Sequence, residues 1–437
     1  MMESTAQPPK LRIALLGFGI VGSRVGQMLI DEADLLAKYI GREIEFIGIA
    51  ERDESKDHQG VPDHLFVTDA AKLIIEGEPD VVVELIGGLG AADELIKLAI
   101  AQGASVVTAN KALLAARGQE FFGLAQAAGV DLYFEAAVAG AIPIIRALSE
   151  SLVAYGIYSI TGIVNGTTNF ILDKMSSDGA TYADALVKAQ ELGFAELDPT
   201  ADIEGIDAAN KTALLASLAF GTWVGVSDVF REGISALVPG DFRAAAANGC
   251  VIKLLAKADL HDDGSVSVRV HPAMVPIGHP LASVSGANNS IAVSTHGAGE
   301  LMFYGLGAGG TPTASAVIGD VVTVGRNRVG GVVGMSVAMS KTSQVLPMSA
   351  NESQYFLRFD VADVPGILSQ VGAVLASHHV SVRNLSQASN MAEEPSRAAE
   401  LGVLTHVTNE GDLLACVAEL DAAAFVRSEV RVMRVEG

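Results

Sequence analysis

The sequence predicts an α/β protein: a doubly wound parallel sheet, then an α+β domain, then a small ferredoxin-like domain. Three observations predict it. Apolar strand-like runs alternate with helical stretches at βαβ spacing over residues 1–145. The order turns mixed over 146–335, and residues 353–437 read βαββα with a final strand-like run.

Each element has a local reason. Residues 11–19 (LRIALLGFG) form an apolar run that ends in glycine, as a buried strand does, and 21–38 suit a helix. Residues 43–51 and 80–87 suit the next strands, followed by a helix near 92–102. Residues 105–110 suit a fourth strand, then a helix to about 128, and 130–138 suit a fifth strand. In the middle region, 183–192, 204–220 and 243–258 read as helices, and 266–271 and 291–295 as strands. This mixed order suggests an α+β domain. Residues 336–352 are polar, include a proline and read as a linker. Beyond it, YFLRFDV alternates like a strand and DVPGILSQVGAVLASHHV reads as a turn and a helix. SVRNLSQ and AELGVLTHV then suit strands, GDLLACVAELDAA a helix and VRVMRV a last strand.

Composition narrows the function. A formal charge of −22 disfavours nucleic acid and anionic membrane surfaces as partners. Cys250 and Cys416 form no CxxC pair, which points to a reducing compartment without structural zinc. The N-terminal MMESTAQPPK lacks the apolar core of a signal peptide, and no long uncharged apolar run suggests a membrane span, so a cytoplasmic location is expected.

Gly17-Phe18-Gly19-Ile20-Val21-Gly22 is a GxGxxG between a strand and a helix, the fingerprint of a dinucleotide-binding Rossmann domain. Gly17 permits the tight turn, Gly19 close approach of a pyrophosphate, and Gly22 close helix packing. Cofactor choice stays open. Glu51 can bond a ribose 2′-hydroxyl, which favours NAD; Arg52 and Lys56 can hold a 2′-phosphate, which favours NADP or dual use. A merely solvated charged loop is the plainer alternative.

Hydride chemistry needs a proton donor beside the carbonyl. No Tyr-xxx-Lys pair follows the Rossmann unit, and two isolated cysteines cannot build the zinc sites of zinc-dependent alcohol dehydrogenases. Acid-base work therefore falls to lysine and carboxylates. The segment from Glu196 to Lys211 is richest in them. Asp207 and Lys211 stand at i and i+4, on one face of a helix. Asp202 can cap a helix beginning near 203, and Glu196 and Asp198 on the preceding loop can bind a substrate ammonium. A surface ion pair with an N-cap is the alternative. Lys111 follows the fourth strand, where ligands of doubly wound sheets bind.

These pieces resemble homoserine dehydrogenase over essentially the whole length. The matching runs are GFGIVG, VVVELIGG, VVTANKALLA, FEAAVAGAIPII, IVNGTTNFIL, AQELGFAELDPTADIEGIDAANK and GLGAGGTPTASAVIGD, in order. The resemblance implies interconversion of L-homoserine and L-aspartate 4-semialdehyde with NAD or NADP, in threonine and methionine biosynthesis. It implies that Lys211 donates the proton, that Asp207 is its partner, that Glu196 grips the substrate amino group, and that Asp202 and Thr167 line the pocket. Lys111 would lie beside the nicotinamide, with Gly307 and Gly309 closing over the cofactor. A monovalent cation, usually sodium, would be held through Glu135, Val138, Gly140 and Ile142, largely by backbone oxygens. Phe170 and Phe194 stand where tyrosine is frequent in the family, Asn210 where histidine is common, and Ala141 where glycine is often seen. The C-terminal domain resembles an ACT domain through Asp363-Val-Pro-Gly366 and Val380-Ser-Val-Arg-Asn384, which implies threonine as effector and a homodimer or homotetramer. Two rival functions fit the same residues: an oxidoreductase for another small amino-acid semialdehyde, or a non-catalytic nucleotide and amino-acid sensor.

Overall fold

A computed structural model describes residues 9–334, 343–389 and 398–436. The chain forms two compact units. The first is Met1–Ile160, Asn210–Val226 and Asn289–Ser343; the second is Thr161–Ala209, Ser227–Asn288 and Gln344–Gly437. Residues 146–335 are thus shared between the two.

The first unit begins with β1 (Leu11–Leu16), α1 (Ile20–Asp31), α2 (Ala33–Ile40), β2 (Ile44–Ala50), β3 (Phe66–Val67), α3 (Ala70–Gly77) and β4 (Val81–Glu84). There follow α4 (Ala91–Ala101), β5 (Ser105–Thr108), α5 (Lys111–Ala128) and β6 (Leu132–Tyr133). The six strands lie in the order β3-β2-β1-β4-β5-β6, all parallel, as expected. Val81, Val82 and Val83 are fully buried, as are Val106 and Val107. A parallel strand covered on both faces needs such an unbroken apolar run. The order reverses between β1 and β4, which opens a crevice at their carboxyl ends. Two expectations change in detail. The helix expected over 21–38 breaks at Glu32, and the strand expected over 130–138 shrinks to β6, because residues 135–137 turn into a short 3₁₀ helix.

After α6 (Ile144–Arg146), β7 (Ile157–Ile163) carries the chain into the second unit, where α7 (Gly166–Ser177), α8 (Tyr182–Glu191) and α9 (Thr200–Ile203) follow. Helix α10 (Ile206–Phe220) contributes its first residues to the second unit and the rest to the first. The second unit continues with β8 (Phe230–Arg231), α11 (Pro239–Ala247), β9 (Cys250–Leu260) and β10 (Val266–Pro276). The helix expected over 243–258 is therefore wrong beyond Ala247. Gly249 takes a left-handed φ of 66°, and β-branched Val251 and Ile252 follow it into a strand. Residues 252–256 are all buried, so neither the helical nor the strand period is visible there.

The first unit is completed by β11 (Asn288–Thr295), β12 (Gly299–Leu306) and α12 (Gly310–Gly330). Helix α12 packs on the Rossmann sheet: a Cβ at Gly325 would stand 3.0 Å from both Leu11 and Ile40 side chains. Of the stretch expected as a linker, residues 335–342 lie outside the described residues. Its later part is tied down, with Val266 N donating to Gln344 O and Leu346 N to Val266 O.

The C-terminal region comprises β13 (Glu352–Ala362), α13 (Ile367–Ser377), β14 (Val382–Ser389), β15 (Ala398–Thr405), β16 (Thr408–Asn409), α14 (Glu410–Ala422) and β17 (Arg431–Val435). Its strand order is β17-β13-β15-β14, a ferredoxin-like plan with the expected last strand present. Tyr355, Leu357, Phe359 and Val361 pack with Val371, Leu375, Leu413 and Leu420 to form its core. Within the second unit β17 also pairs parallel with β10, at Ala273–Arg434 and Met274–Val435.

Candidate active site

Two glycines of the Rossmann fingerprint are required by sterics, and the third leaves space open. Gly17 has φ 96°, and a Cβ there would meet Leu85 O at 2.7 Å. At Gly22 a Cβ would stand 2.2 Å from Gly17 O, so only glycine lets α1 sit on the strand. Gly19 caps α1 without a side-chain cap, and a Cβ there meets nothing within 4 Å. The α1 N-terminus thus offers uncapped N–H groups to an anion, beside open space.

A cleft of about 670 Å³ is lined by Gly17, Phe18, Gly19, Glu51, Arg52 and Lys56, among others. It brings together six predicted or weighed positions from β1, the α1 turn and the end of β2. Glu51 Oε2 accepts from Phe18 N at 3.2 Å and from Lys56 Nζ at 2.6 Å. Partial burial pushes the Glu51 carboxyl up, but Lys56 and the backbone N–H groups of Asp53 and Phe18 hold it below the usual range. Arg52 is exposed at the rim. A neighbouring groove of about 760 Å³ is lined by Asp53, Glu54, Asp63, Asp69 and Glu76, which makes it a poor host for phosphate.

Ile20 and the GLGAGG segment meet in the same unit: a Cβ at Gly310 would touch Ile20 Cγ2 at 3.1 Å. Gly309 caps α12 with φ 132°, and a Cβ at Gly140 would stand 2.7 Å from Gly307 O. Gly307 and Gly309 therefore pass between the α1 turn and the 138–142 turn.

Lys111 opens α5, half-buried, directly after the cap residue Asn110. Behind it lies a buried network that sequence reasoning missed. Glu84, fully buried at the end of β4, accepts from Ile86 N and Gly87 N at 2.9 and 3.0 Å. Its other oxygen accepts from Thr108 Oγ1 at 2.5 Å; Thr108 Oγ1 accepts from Asn110 N; Asn110 Nδ2 donates to Gly88 O. A charged residue inside VVVELIGG was the available signal, because a carboxylate in an apolar run must be bonded.

The turn after β6 is tight, with Ala139 and Gly140 at φ 57° and 53°. The Glu135 carboxylate accepts from Ile145 N at 2.8 Å and Arg146 N at 3.0 Å, while burial raises its affinity for a proton. Glu135 N donates to Asp320 Oδ2, and Arg146 Nη2 lies 2.6 Å from Asp320 Oδ1. Val138 and Ile142 are buried in the same turn.

In the second unit a different cluster forms. Asn165 caps α7, and its Nδ2 donates to Asp202 Oδ1 at 2.7 Å and to Asp207 Oδ2 at 2.9 Å. Asp202 therefore does not cap a helix near 203. It lies inside α9, and its carboxylate is turned towards Asn165. Asp198 does the local work instead, accepting from Thr200 N. Thr167 Oγ1 donates to Phe194 O at 2.6 Å, so position 194 contributes its backbone, while its ring packs on Phe170 with centroids 4.9 Å apart. Glu196 is exposed on the loop before α9. Asp207 and Lys211 are each 6% exposed, which removes the surface-ion-pair alternative. Burial of that kind is costly unless the charges are matched.

Three family models match the chain: "Homoserine dehydrogenase, NAD binding domain" over residues 17–135, "Homoserine dehydrogenase" over 143–322 and "ACT domain" over 355–425. The chain is 47% identical over 430 residues to homoserine dehydrogenase of Mycobacterium tuberculosis, covering 97% of each. The chain belongs to the homoserine dehydrogenase family. A solved homoserine dehydrogenase from Thiobacillus denitrificans matches at 39% identity and a TM-score of 0.91, covering 98% of each chain. A hyperthermophilic archaeal homoserine dehydrogenase mutant, solved in complex with NADPH, matches at 30% identity and a TM-score of 0.62, with 72% of this chain and 98% of that one covered. Homoserine dehydrogenases are NAD(P)-dependent oxidoreductases of amino-acid biosynthesis, so the 670 Å³ cleft belongs to a nicotinamide-binding domain and the C-terminal sheet to an ACT module. Among the described residues, no helix is long and apolar enough to cross a membrane.

Proposed function

We propose that Lys211 and Asp207 carry the proton transfer that accompanies hydride transfer between L-homoserine and the nicotinamide ring. In the oxidative direction the C4–H bond breaks with loss of a hydride, for which a bound NAD(P)⁺ would supply the acceptor, and the C4 hydroxyl proton passes to the protein, giving the 4-semialdehyde. Lys211 takes or returns that proton, and Asp207 orients the ammonium. Glu196 receives the substrate ammonium, with Asp202 and Thr167 lining the pocket. Lys111, pre-set by the Asn110 cap, would stand beside the nicotinamide. The observation that carries this reading is the burial of two opposite charges one turn apart on α10, each 6% exposed. Such a pair persists where the desolvation serves chemistry.

The α1 N-terminus at Gly19 would receive the cofactor phosphates, with Gly307 and Gly309 closing over the cofactor. Lys56 is already engaged by Glu51, whereas Arg52 faces solvent at the rim, which supports NADP as the preferred cofactor with NAD as second choice. The archaeal relative bound to NADPH supports the same reading. Glu135, Val138, Gly140 and Ile142 would hold a sodium ion in the tight turn, largely through backbone oxygens; hard oxygen donors suit such a cation. Threonine acts through the ACT module. Exposed Val364, Leu368, Val382 and Leu385 support pairing of ACT modules in a homodimer, or in a homotetramer built from it, working in the cytoplasm.

Initial rates with L-homoserine, NADP⁺ or NAD⁺, with and without threonine, test the proposal. Turnover that is fastest with NADP⁺ and falls with threonine is expected. Equal or better turnover of another small amino alcohol, or cofactor binding without turnover, would overturn the substrate assignment.

A further inference from the structure

Asn165 sits where three of the proposed site segments meet. It is 4% exposed and stands between β7 and α7. One end of its amide caps α7: Oδ1 accepts from Thr168 N at 2.9 Å and from Thr168 Oγ1 at 3.0 Å. The other end bonds two carboxylates, Asp202 on α9 and Asp207 on α10. An amide nitrogen has two hydrogens, so each carboxylate receives one, and none is left over.

We propose that Asn165 is a positioning residue that makes Asp202 and Asp207 a single ligand-facing pair. The proposal rests on the reading that these carboxylates serve substrate and Lys211. Two carboxylates placed against one atom repel each other, and a donor between them offsets that repulsion. Both bonds are charge-assisted, so they fix the carboxylate planes more firmly than neutral bonds would. The cap transmits the same constraint to α7, whose next residues include Thr167, itself bonded to Phe194 O on the loop that carries Glu196. Only an amide both accepts at the helix end and donates twice. Asp keeps the acceptor and loses both donors. Ser keeps the cap but is too short to reach both carboxylates.

The test uses the full chain with Asn165→Asp, Asn165→Ser and Asp207→Asn. Measured are kcat and KM for L-homoserine, the NADPH dissociation constant and Tm. Loss of two hydrogen bonds to charged groups predicts a fall of about 100-fold in kcat/KM for Asn165→Asp. Asn165→Ser falls about 10-fold, having lost part of the same bonding. In both, NADPH binding stays within about twofold, because the cofactor cleft is built by other residues. Wild-type kcat/KM in both Asn165 variants, with Asp207→Asn impaired, overturns the positioning role alone. Wild-type kcat/KM in Asp207→Asn overturns the underlying reading of the carboxylates. If both Asn165 variants lose NADPH binding and Tm together, Asn165 is a helix cap and nothing more, and the proposal also fails.

Discussion

Gly19→Ala separates the cofactor site from the fold that carries it. Gly19 has φ −77°, which alanine adopts without strain, and a Cβ there meets no atom within 4 Å. The apo protein should therefore keep its stability to within about 0.5 kcal/mol. The same Cβ occupies the space over the α1 N-terminus where the proposed pyrophosphate site lies. Losing one N–H bond to a phosphate oxygen costs about 1.5–3 kcal/mol, a rise of about 10- to 100-fold in the dissociation constant. Gly22→Ala is the contrasting case. Its Cβ would lie 2.2 Å from Gly17 O, so α1 must move by about 1 Å to reach ordinary contact, and Tm and binding should fall together. Titration of NADPH by fluorescence, with thermal unfolding of the apo protein, distinguishes the two. Unchanged affinity in Gly19→Ala would refute the placement of the phosphates. A lowered apo Tm would refute the claim that the space is open.

Two further predictions concern the second unit. Glu436 is 6% exposed beside Lys257 and Arg269; burial pushes its carboxyl up, but these cations pull it down to about 2. A depressed carboxyl stabilises the fold above its ordinary value of 4.5, and that contribution, about 3 kcal/mol, is lost as pH falls from about 4.5 towards 2. The stability difference between wild type and Glu436→Gln in urea should shrink over that window; a constant difference would contradict the assignment. Truncation after Leu346 removes β17, which pairs with β10, and strips Lys257 and Arg269 of Glu436. Tm should fall by several degrees or more, because buried Arg269 keeps only Asp259 as a carboxylate partner, half-buried Lys257 loses Glu436 and β10 loses a neighbouring strand; an unchanged Tm would show that β10 does not depend on the ACT module.

Much of this was readable from the residues, and the failures have physical causes. The parallel sheet was legible because VVV and VVT runs buried on both faces admit few other readings. GxGxxG was legible because Gly17 and Gly22 each avoid a separate clash and Gly19 leaves open space over the α1 N-terminus. The β9 strand was missed because its residues 252–256 are all buried, which erases periodicity. Asp202 was misread as a cap because spacing along the chain does not show that Asn165, 37 residues earlier, claims its oxygen. Asn165 and Glu84 were missed for the same reason: their importance lies in hydrogen bonds between distant segments. The i, i+4 spacing of Asp207 and Lys211 was visible, but only burial distinguishes it from a surface pair.

The account stands most directly on Lys211. Steady-state oxidation of L-homoserine by Lys211→Ala, with NADPH affinity measured alongside, isolates it. Loss of a general acid or base predicts turnover lowered by about 10²-fold or more, with NADPH still bound at wild-type strength. Near-normal turnover in that variant would remove Lys211 from the proton transfer and leave the buried Asp207 without its proposed role.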